Sequence, residues 1–386
     1  MMKKIELKQG TLIDKIELRN GKIISIRDVA DLIHRDVLMR NNDRMMYETD
    51  YGDEFSYLRI ADDKWIHQLK VGVTGFGKQY TNLQMGIFND VCPKLGNLIC
   101  NTVDDYHYQI QKVEDYLMEE YGILASFDES KINMIELNRT FEIDYPFSDY
   151  HRILRLLIAE MPKMNVVSFF GQTNTNKKYF DEKVENIGTY SAWSKQKKSK
   201  SDQYRKITFY DKGNQVKVLV MGNLMRVELM IKGAKNIRSA FGTDSFFSIT
   251  QEQIDNYFME QMQKLIVVPM ERWKANRNRY VLKLIKEEYE KEINNSWQVN
   301  VLRKLMNKEI EQGKPCILGI EELCSLVDRY KGLNRKSRIK ANLRVQAAKY
   351  EKVFCNGDDL KLQEIIDKLL ATDSATVDLF VEDSVA

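Results

Sequence analysis

Two stretches of the chain decide how the rest is organised: YRKITFYDK at residues 204–212 and LMRVELMIK at residues 224–232. In both, apolar residues alternate with polar ones at a period of two, which predicts a β-strand with one apolar face and one polar face. In the first stretch, Ile207 and Phe209 lie on the apolar face. The polar faces carry a tyrosine, a carboxylate and several cations, namely Tyr210, Glu228, Lys206, Lys212, Arg226 and Lys232.

A third stretch, KINMIELNRTFEIDY at residues 131–145, has the same alternation. Its apolar face contains Ile135 and Leu137, and its polar face contains Glu136 and Asn138. Strands of matching polarity can lie side by side with their apolar faces on one core. The three stretches therefore predict neighbouring strands of an antiparallel sheet that share one polar face.

The composition is that of a globular protein with more charge than average. Of the 386 residues, 43% are hydrophobic and 30% are charged; the net charge is +3 and the isoelectric point is near 8.3. This balance is too mild to indicate nucleic-acid binding by itself. No run approaches the roughly 20 apolar residues of a membrane helix, and the N-terminal stretch lacks the apolar core of a secretory signal.

The cysteines and histidines argue against a metal centre built from them. The five cysteines are an odd number, are widely spaced and form no CxxC motif, which predicts free thiols in a reducing cytoplasm. The four histidines are isolated in the sequence and are expected to be surface or packing residues: His34, His67, His107 and His151. We therefore expect a cytoplasmic protein with no zinc ribbon and no membrane partner.

The spacing of apolar residues divides the chain into two regions. The N-terminal region mixes strands with helices, among them a helix that begins at a Thr102–Asp105 capping box and ends at Gly122. In the C-terminal region, helical patterns follow one another without strands between them. The sequence predicts an α+β fold, with an antiparallel-sheet domain over residues 1–249 and an α-helical domain over residues 250–386 that contacts DNA or a helicase.

Three local expectations concern turns and irregular segments. The Asn-Gly pair at residues 20–21 separates two short β-like runs and predicts a hairpin. Asp14 has the parity of Leu12 and Ile16 and is predicted on the apolar side, either as a site residue or at the end of an edge strand. Residues 171–203 and the last dozen residues are polar and predict irregular structure.

The shared polar face holds the residue types that DNA strand cleavage requires. A tyrosine oxygen can attack a phosphodiester and keep the bond energy in a phosphotyrosyl link. Carboxylate and amide oxygens suit Mg²⁺ or Mn²⁺, and nearby cations stabilise the charge that develops on the phosphate. Each residue also has an ordinary explanation: Tyr210 could pack at a strand edge, and Glu228 could pair with Arg226 and Lys232 in a surface ladder. The complete set favours the chemical interpretation.

Two basic stretches are predicted to contact DNA. The first leads into the strand at residues 204–212 and would follow a phosphate backbone or form a solvated loop. Its cations, together with those of the polar face, are Lys195, Lys197, Lys198, Lys200, Arg205, Lys206, Arg226 and Lys232. The second, at residues 320–350, has the pattern of a helix, a short turn and a basic helix; it resembles a helix-turn-helix or is a plain charged pair. Its cations include Arg335, Lys336, Arg338, Lys340 and Arg344.

One family resemblance follows from motifs that occur in order along the chain. These are TLIDKIEL, CPKLGNLI followed by NTVDD, NMIELNRTFEID, KITFYDKGNQV and LMRVELMIK, which together lie within residues 11–235. In this order they resemble the gene II/X replication proteins of filamentous phages, a group of rolling-circle replication initiators related to plasmid Rep endonucleases. The resemblance implies a Rep-like or HUH-like endonuclease fold without the two-histidine metal motif.

The same resemblance implies roles for single residues. It implies that Tyr210 is the nicking nucleophile with Lys212 beside it, and that Glu228 is a metal ligand. Where the family has an aspartate shortly before Thr-Phe, this chain has Asn138, and Glu136 on the same face is the alternative ligand. Two further tyrosines compete as nucleophile, Tyr190 and Tyr204.

The expected function is initiation of rolling-circle DNA replication. The protein would recognise a duplex origin, nick one strand through a covalent 5′-phosphotyrosyl intermediate with Mg²⁺ or Mn²⁺, and later rejoin the ends. This requires an exposed phenol at Tyr210 beside the carboxyl group of Glu228. The expected partners are duplex and single-stranded origin DNA, a host helicase, a single-strand-binding protein and a second copy of the chain. The alternatives are a conjugative relaxase with the same chemistry and a non-catalytic origin-binding factor.

Overall fold

The protein is described from a computed structural model. It describes residues 2–7, 10–39, 57–63, 66–73, 79–85, 101–164, 166–169, 172–174, 189–194, 205–215, 223–291, 296–312, 318–349, 357–371 and 377–382.

The strands alternate with helices in the first half of the chain and recur once near its end. In chain order they are β1 Met2–Leu7, β2 Leu12–Arg19, β3 Lys22–Ile26, β4 Leu38–Met39, β5 Tyr57–Asp63, β6 Ile66–Val73, β7 Gln79–Met85, β8 Ile123–Ser126, β9 Lys131–Ile143, β10 Val166–Phe169, β11 Gln172–Asn174, β12 Thr189–Trp193, β13 Arg205–Asp211, β14 Asn223–Lys232 and β15 Val377–Glu382.

The helices concentrate in the second half. They are α1 Val29–His34, α2 Val103–Tyr121, α3 His151–Glu160, α4 Lys212–Gln215, α5 Ala234–Phe241, α6 Gln251–Met262, α7 Val268–Glu290, α8 Trp297–Gln312, α9 Ile320–Arg329, α10 Lys336–Ala348 and α11 Asp358–Leu370. Helix α2 begins at the predicted capping box, and Gly122 ends it with a φ of 63°, a left-handed conformation that glycine adopts without strain.

One antiparallel sheet organises the first half of the protein. Among the described residues its strand order is β11-β10-β12-β13-β14-β9-β2-β7-β6-β5-β4. The three strands of matching polarity are adjacent: Tyr210 lies opposite Arg226, Thr208 lies opposite Glu228, and Glu228 lies opposite Asn138. The predicted mixed fold with a large antiparallel sheet is confirmed, and so is the shared polar face.

Much of that polar face is buried. Strand β9 is buried on both of its faces along most of its length, and its polar residues Glu136 and Asn138 are only 8% and 1% exposed. On the apolar side, Arg139 interrupts the pattern and donates hydrogen bonds to the carbonyl groups of Leu369 and Ala371 at the end of α11. The arginine thereby satisfies carbonyl groups that the end of a helix leaves unpaired.

The predicted hairpin at residues 20–21 is wrong. Strand β3 pairs with β8 in a separate two-stranded sheet, whereas β2 pairs with β7 and β9. The chain turns away because Asn20 has a φ of 67° and Gly21 packs against the ring of Phe127, where a Cβ atom would lie 2.4 Å from the ring. The Asn-Gly pair predicted a turn correctly, but tertiary packing determined which strands pair.

Two polar segments contain strands that the sequence did not predict. Within residues 171–203, β11 and β12 extend the sheet, and β12 is mostly buried. Near the C-terminus, β15 pairs antiparallel with β1 over residues 2–7. Strand β11 pairs with β10 just before it, whereas β15 pairs with a strand far away in the sequence, so its extended structure depends on a partner that the local sequence does not reveal.

The hydrophobic residues form two clusters that the long α6–α7 helical run connects. The run continues through a π-helical turn, Gln263–Val267. The cluster around the sheet includes residues of this run as far as Met270 and also residues of α11, whereas the second cluster begins at Val281 and continues through α8, α9 and α10. The predicted domain division at residue 249 remains a prediction. In the described residues, no helix is long and apolar enough to span a membrane.

Candidate active site

Tyr210 and Glu228 form the centre of the site. They are diagonal neighbours on β13 and β14, a separation within reach of long side chains on one face of a sheet. The hydroxyl group of Tyr210 donates a hydrogen bond to the carboxyl group of Glu228. Burial, together with the negative charge of Glu228, raises the pKa of Tyr210, while Arg226 opposes that shift. The phenol is therefore neutral in the folded protein and needs a base before it can attack.

The phenol is not exposed as the sequence predicted, because Tyr210 is only 6% exposed. Strand β13 lies between β12 and β14, and Thr208 on the same face shares a hydrogen bond of 3.1 Å with the hydroxyl group of Ser191. The expected contact with Glu228 is present, but it lies inside a buried polar cluster.

Asp14 joins this cluster through a bulge in β2. The register between β2 and β9 shifts between Ile13 and Lys15, so that Asp14 is the extra residue. A bulge re-aims the side chain that it carries. The Asp14 carboxylate lies 3.3 Å from the guanidinium group of Arg226, and its backbone carbonyl accepts a hydrogen bond from the hydroxyl group of Tyr106 in α2. Strand β2 lies between β9 and β7, so the edge-strand interpretation of Asp14 is wrong, while its role as a site residue stays a prediction.

The cluster also contains the cation Arg226. It is fully buried and donates a second hydrogen bond of 2.7 Å to Thr140 on β9. The sequence pattern predicted that this arginine contacts DNA. Instead, Arg226 on β14 lies in the interior and contacts side chains of β2 and β9. Its positive charge there compensates the charge of nearby carboxylates.

The carboxyl groups of the cluster affect one another. Burial raises the pKa of Glu136 to about 8, and the negative charges of Glu228 and Asp14 contribute to the shift. Burial and the charge of Asp14 also raise the pKa of Glu228. Such shifts identify a place where negative charge is concentrated in a poorly solvated interior.

Lys212 lies beside the phenol, although not on the strand that the sequence predicted. It begins the short helix α4, is fully buried, and its ammonium nitrogen lies 5.6 Å from the ring centroid of Tyr210. Its positive charge opposes the rise in the pKa of Glu228. The chain thus places a second buried cation beside Tyr210.

The donor atoms of the cluster suit a hard divalent ion. Glu136, Glu228 and Asp14 supply carboxylate oxygens, and Asn138 supplies an amide whose nitrogen donates to the carbonyl oxygen of Leu12 at 3.4 Å. Mg²⁺ and Mn²⁺ prefer such oxygen ligands. Within the described ranges, however, no three His, Cys, Asp or Glu side chains converge in a ready-made metal site. These oxygen atoms are suitable ligands for Mg²⁺ or Mn²⁺, but the side chains would have to move to bind one ion together.

Tyr190, a rival nucleophile, lies on the other face of the sheet. It is opposite Phe209 in the register of β12 and β13, and therefore shares the apolar face with it. Its hydroxyl oxygen lies 2.5 Å from Nδ1 of His151 in α3. Burial raises the pKa of Tyr190. It has no part in the Glu228 cluster, and the other rival, Tyr204, lies outside the described residues.

The predicted DNA-contacting cations near the sheet fall into three groups. Lys195, Lys197, Lys198 and Lys200 lie outside the described residues. Arg226 is buried, as described above. The remaining three are partly exposed at the strands: Arg205, Lys206 and Lys232. Lys206 is close enough to the cluster for its charge to oppose the rise in the pKa of Glu136.

The predicted helix-turn-helix corresponds to α9 and α10, which pack against each other. A connection from residue 330 to residue 335 joins them. All five predicted cations belong to this pair, and three of them make ion pairs or hydrogen bonds to α9. The pair lies in the second hydrophobic cluster, away from the residues of the polar cluster in the first.

Comparison with known proteins gives little similarity. No protein-family model and no curated protein matches the chain. A rolling-circle replication initiator from Geobacillus stearothermophilus is weakly similar in structure, with a TM-score of 0.31 and 9% identity over 67% of this chain and 85% of that one. The immunity protein TplEi of T6SS from Pseudomonas aeruginosa gives a TM-score of 0.16 and 8% identity over 67% of this chain and 95% of that one. At TM-scores this low, neither similarity carries an argument about function.

Proposed function

We propose that the protein is a DNA nicking and joining enzyme of the rolling-circle type with Tyr210 as nucleophile. The observation that carries this proposal is the hydrogen bond from the Tyr210 hydroxyl group to Glu228 inside a buried cluster of acids and cations. A phenol held on a carboxylate and flanked by cations has the parts of an activated nucleophile. The weak structural similarity to a rolling-circle replication initiator carries no argument for this proposal.

The cleavage step follows from that hydrogen bond. Glu228 accepts the phenolic proton while the Tyr210 oxygen forms a bond to phosphorus. The bond between phosphorus and the 3′-oxygen breaks, and that oxygen takes a proton from solvent to leave a free 3′-hydroxyl. The 5′-phosphate remains on the tyrosine. In the reverse step the 3′-hydroxyl gives its proton to solvent and its oxygen bonds to phosphorus, the bond between phosphorus and the Tyr210 oxygen breaks, and Glu228 returns the proton to the phenol.

The buried cations stabilise charge in this scheme. Lys212 lies on the ring side of Tyr210, where its ammonium group can offset the charge that the phosphate gains in the transition state. Arg226, paired with Asp14, lowers the cost of ionising the phenol. A bound Mg²⁺ or Mn²⁺ would be held by Glu136, Asn138 and the oxygen of Glu228 that does not accept the phenolic proton, and it would polarise the scissile phosphate.

Cleavage also requires an opening step. At 6% exposure the phenol of Tyr210 is covered, and attack requires contact between its oxygen and a phosphorus atom. Unpaired DNA therefore has to displace some of what covers the cluster. Single-stranded substrate is expected to react faster than duplex for this reason, because a flexible strand can follow a narrow opening.

The test is formation of a covalent protein–DNA adduct. Single-stranded oligonucleotides that tile the DNA flanking the coding sequence are incubated with the full chain and Mn²⁺, and a complex resistant to SDS is scored on a gel. We expect an adduct with wild type and with Tyr190→Phe, and none with Tyr210→Phe. Tyr190, on the opposite face of the sheet, is the control for the loss of a buried tyrosine hydroxyl group. Normal cleavage by Tyr210→Phe would refute the proposal.

A second candidate is a DNA-binding replication factor without catalysis. The observation that favours it is the burial of Tyr210 together with an exposed basic helix in the second cluster. It predicts specific binding to one of the same DNA fragments in duplex form with no adduct under any metal condition. A conjugative relaxase would give the same adduct, and mapping the nick to a transfer or a replication origin separates those two.

A further inference from the structure

Helix α10 has one side in the core and one in solvent. Ile339, Leu343 and Ala347, spaced by four residues, are buried against α8 and α9. At 100° per residue, the side opposite to them is the row that contains Arg338, Ala341, Val345 and Ala348. All four of these residues are exposed.

The cations of α10 divide by side. Along the flank that faces α9, Arg344 makes two hydrogen bonds of 2.7 Å to Glu321. On the same flank, Lys340 lies 2.8 Å from the carboxylate of Asp328, whose carbonyl oxygen accepts a bond of 2.6 Å from Lys336. These three cations hold α10 on α9.

The outer face carries different chemistry. Arg338 and Asn342 are exposed there, as is Val345, whose exposed fraction is 62%, high for a branched apolar side chain. Arg335 precedes the helix and Lys349 follows it, both exposed. The helix contains no acidic residue. The two ends of this face are therefore cationic. Between them lie the polar side chains of Arg338 and Asn342, the branched apolar side chain of Val345 and small residues.

We propose that this outer face enters the major groove of duplex DNA and reads bases there, which deepens the DNA-directed function proposed above by assigning where duplex is recognised. The major groove admits an α-helix, and arginine pairs with guanine, asparagine with adenine, and an apolar group with the thymine methyl. The small residues Ala341 and Ala348 let the helix approach the base edges. No acidic side chain on the helix would repel the phosphates.

The positions assign the roles. Arg338 and Val345 lie on the outer row, Asn342 lies on the flank of that row away from α9, and these three side chains contact base edges. Arg335 and Lys349, at the two ends, contact phosphate groups and set the position of the helix in the groove. Helix α9 braces α10 through the ion pairs described above and crosses the backbone, as the first helix of a helix-turn-helix does.

The experiment selects duplex sites with the full chain. The Tyr210→Phe protein is used without added metal so that nicking does not interfere, and a pool of random duplex oligonucleotides is the probe. Affinity for the enriched duplex and for a scrambled duplex is then measured by fluorescence anisotropy at several salt concentrations. We expect an enriched motif, and a loss of specific over nonspecific affinity of about 5- to 150-fold in Arg338→Ala and in Asn342→Ala.

The flanking and control variants test the division of roles. Arg335→Ala and Lys349→Ala are expected to weaken both duplexes alike and to lower the salt dependence by roughly one charge each. Arg344→Ala, which removes an exposed arginine on the α9 side, should retain the sequence preference. Circular dichroism and thermal midpoints establish that every variant is folded.

Two results would overturn the proposal. One is the absence of any enriched duplex with a folded protein. The other is that Arg338→Ala and Asn342→Ala keep the wild-type preference for the enriched duplex. The outer face would then bind a protein partner instead of DNA. The adduct assay tests the nicking proposal separately, because it uses single-stranded DNA and depends on the Tyr210 hydroxyl group. The duplex-binding measurement uses neither.

Discussion

Arg226 and Arg338 are the same residue type in two regions with opposite physical situations. Arg226, in the sheet, is fully buried and is held by Asp14 and Thr140. Arg338, on the outer face of α10, is exposed to solvent. In the interior, a charge is costly unless a partner compensates it, whereas on the surface water does so.

The two regions differ in what their side chains can do: groups in the buried cluster have shifted pKa values, and groups on the surface helix remain solvated. The buried cluster keeps its groups in fixed positions and shifts the pKa of Glu136, Glu228 and Tyr210 by burial, as catalysis requires. The surface helix leaves its outer groups solvated, so that they can exchange water for phosphate and base edges. Under our two proposals, the reaction occurs in the first region and duplex recognition in the second.

The largest expected effect comes from removing the buried cation. Arg226→Met leaves the Asp14 carboxylate without its paired cation in the interior and removes one of two buried cations near Glu228, so we expect a loss of about 3–5 kcal/mol in the free energy of unfolding. Arg338→Met should leave the unfolding midpoint unchanged. Denaturant unfolding monitored by circular dichroism gives both values, and equal losses in the two variants would remove the contrast between the regions.

A double variant tests whether the loss arises from the charge itself. Adding Asp14→Asn to Arg226→Met removes a carboxylate that the arginine paired, so the double variant should be more stable than the sum of the single effects predicts, by about 1–3 kcal/mol. Additive losses would indicate that the two side chains act independently.

The next effect depends on pH through Glu136. Its pKa is raised from 4.5 to about 8 in the folded protein, so the folded state binds more protons than the unfolded chain between these values. Stability is therefore full below about pH 4.5 and falls as the pH rises through 8. Glu136→Gln should be more stable than wild type at pH 8.5, on the order of 2–4 kcal/mol, and equal to it near pH 5.

The exposed carboxylate of Glu142 on the same strand provides the matched control. Glu142→Gln is expected to follow the wild-type dependence on pH. Unfolding curves recorded from pH 5 to pH 8.5 would contradict the assignment if Glu136→Gln and wild type lost stability in parallel.

A smaller effect tests the acidic cluster as a cation site. With 1 mM MnCl₂ at pH 8, bound metal should raise the thermal midpoint of wild type by roughly 1–3 °C, since a ligand that binds only the folded state stabilises it. The rise should disappear in a Glu136→Gln, Glu228→Gln double variant. The same rise in both proteins would place the metal elsewhere.

The smallest effect concerns the ion pairs between α9 and α10. Glu321→Gln removes the exposed partner of Arg344, and exposed pairs contribute little. No measurable change in midpoint is expected for the purified protein. A large loss of stability would mean that this surface pair is coupled to the second hydrophobic cluster more strongly than its exposure implies.

The amino-acid sequence by itself determined the three central strands, their polar faces and most helices. Alternation along β13, β14 and β9 is a local property of the chain, and so is the Thr102–Asp105 capping box, which sets where α2 begins. The grouping of Tyr210, Glu228 and Glu136 follows from that alternation once the three strands are adjacent.

Tertiary structure decided the rest, because burial and pairing are nonlocal. Asp14 has the parity of an apolar position, and only the bulge against β9 turns it to Arg226, a residue 212 positions away in the chain. Tyr190 is excluded from the cluster by the register of β12, a strand with no clear sequence signal. Exposure of the phenol could not be predicted either, since periodicity assigns a side chain to a face and only the packing of distant segments determines whether that face meets water.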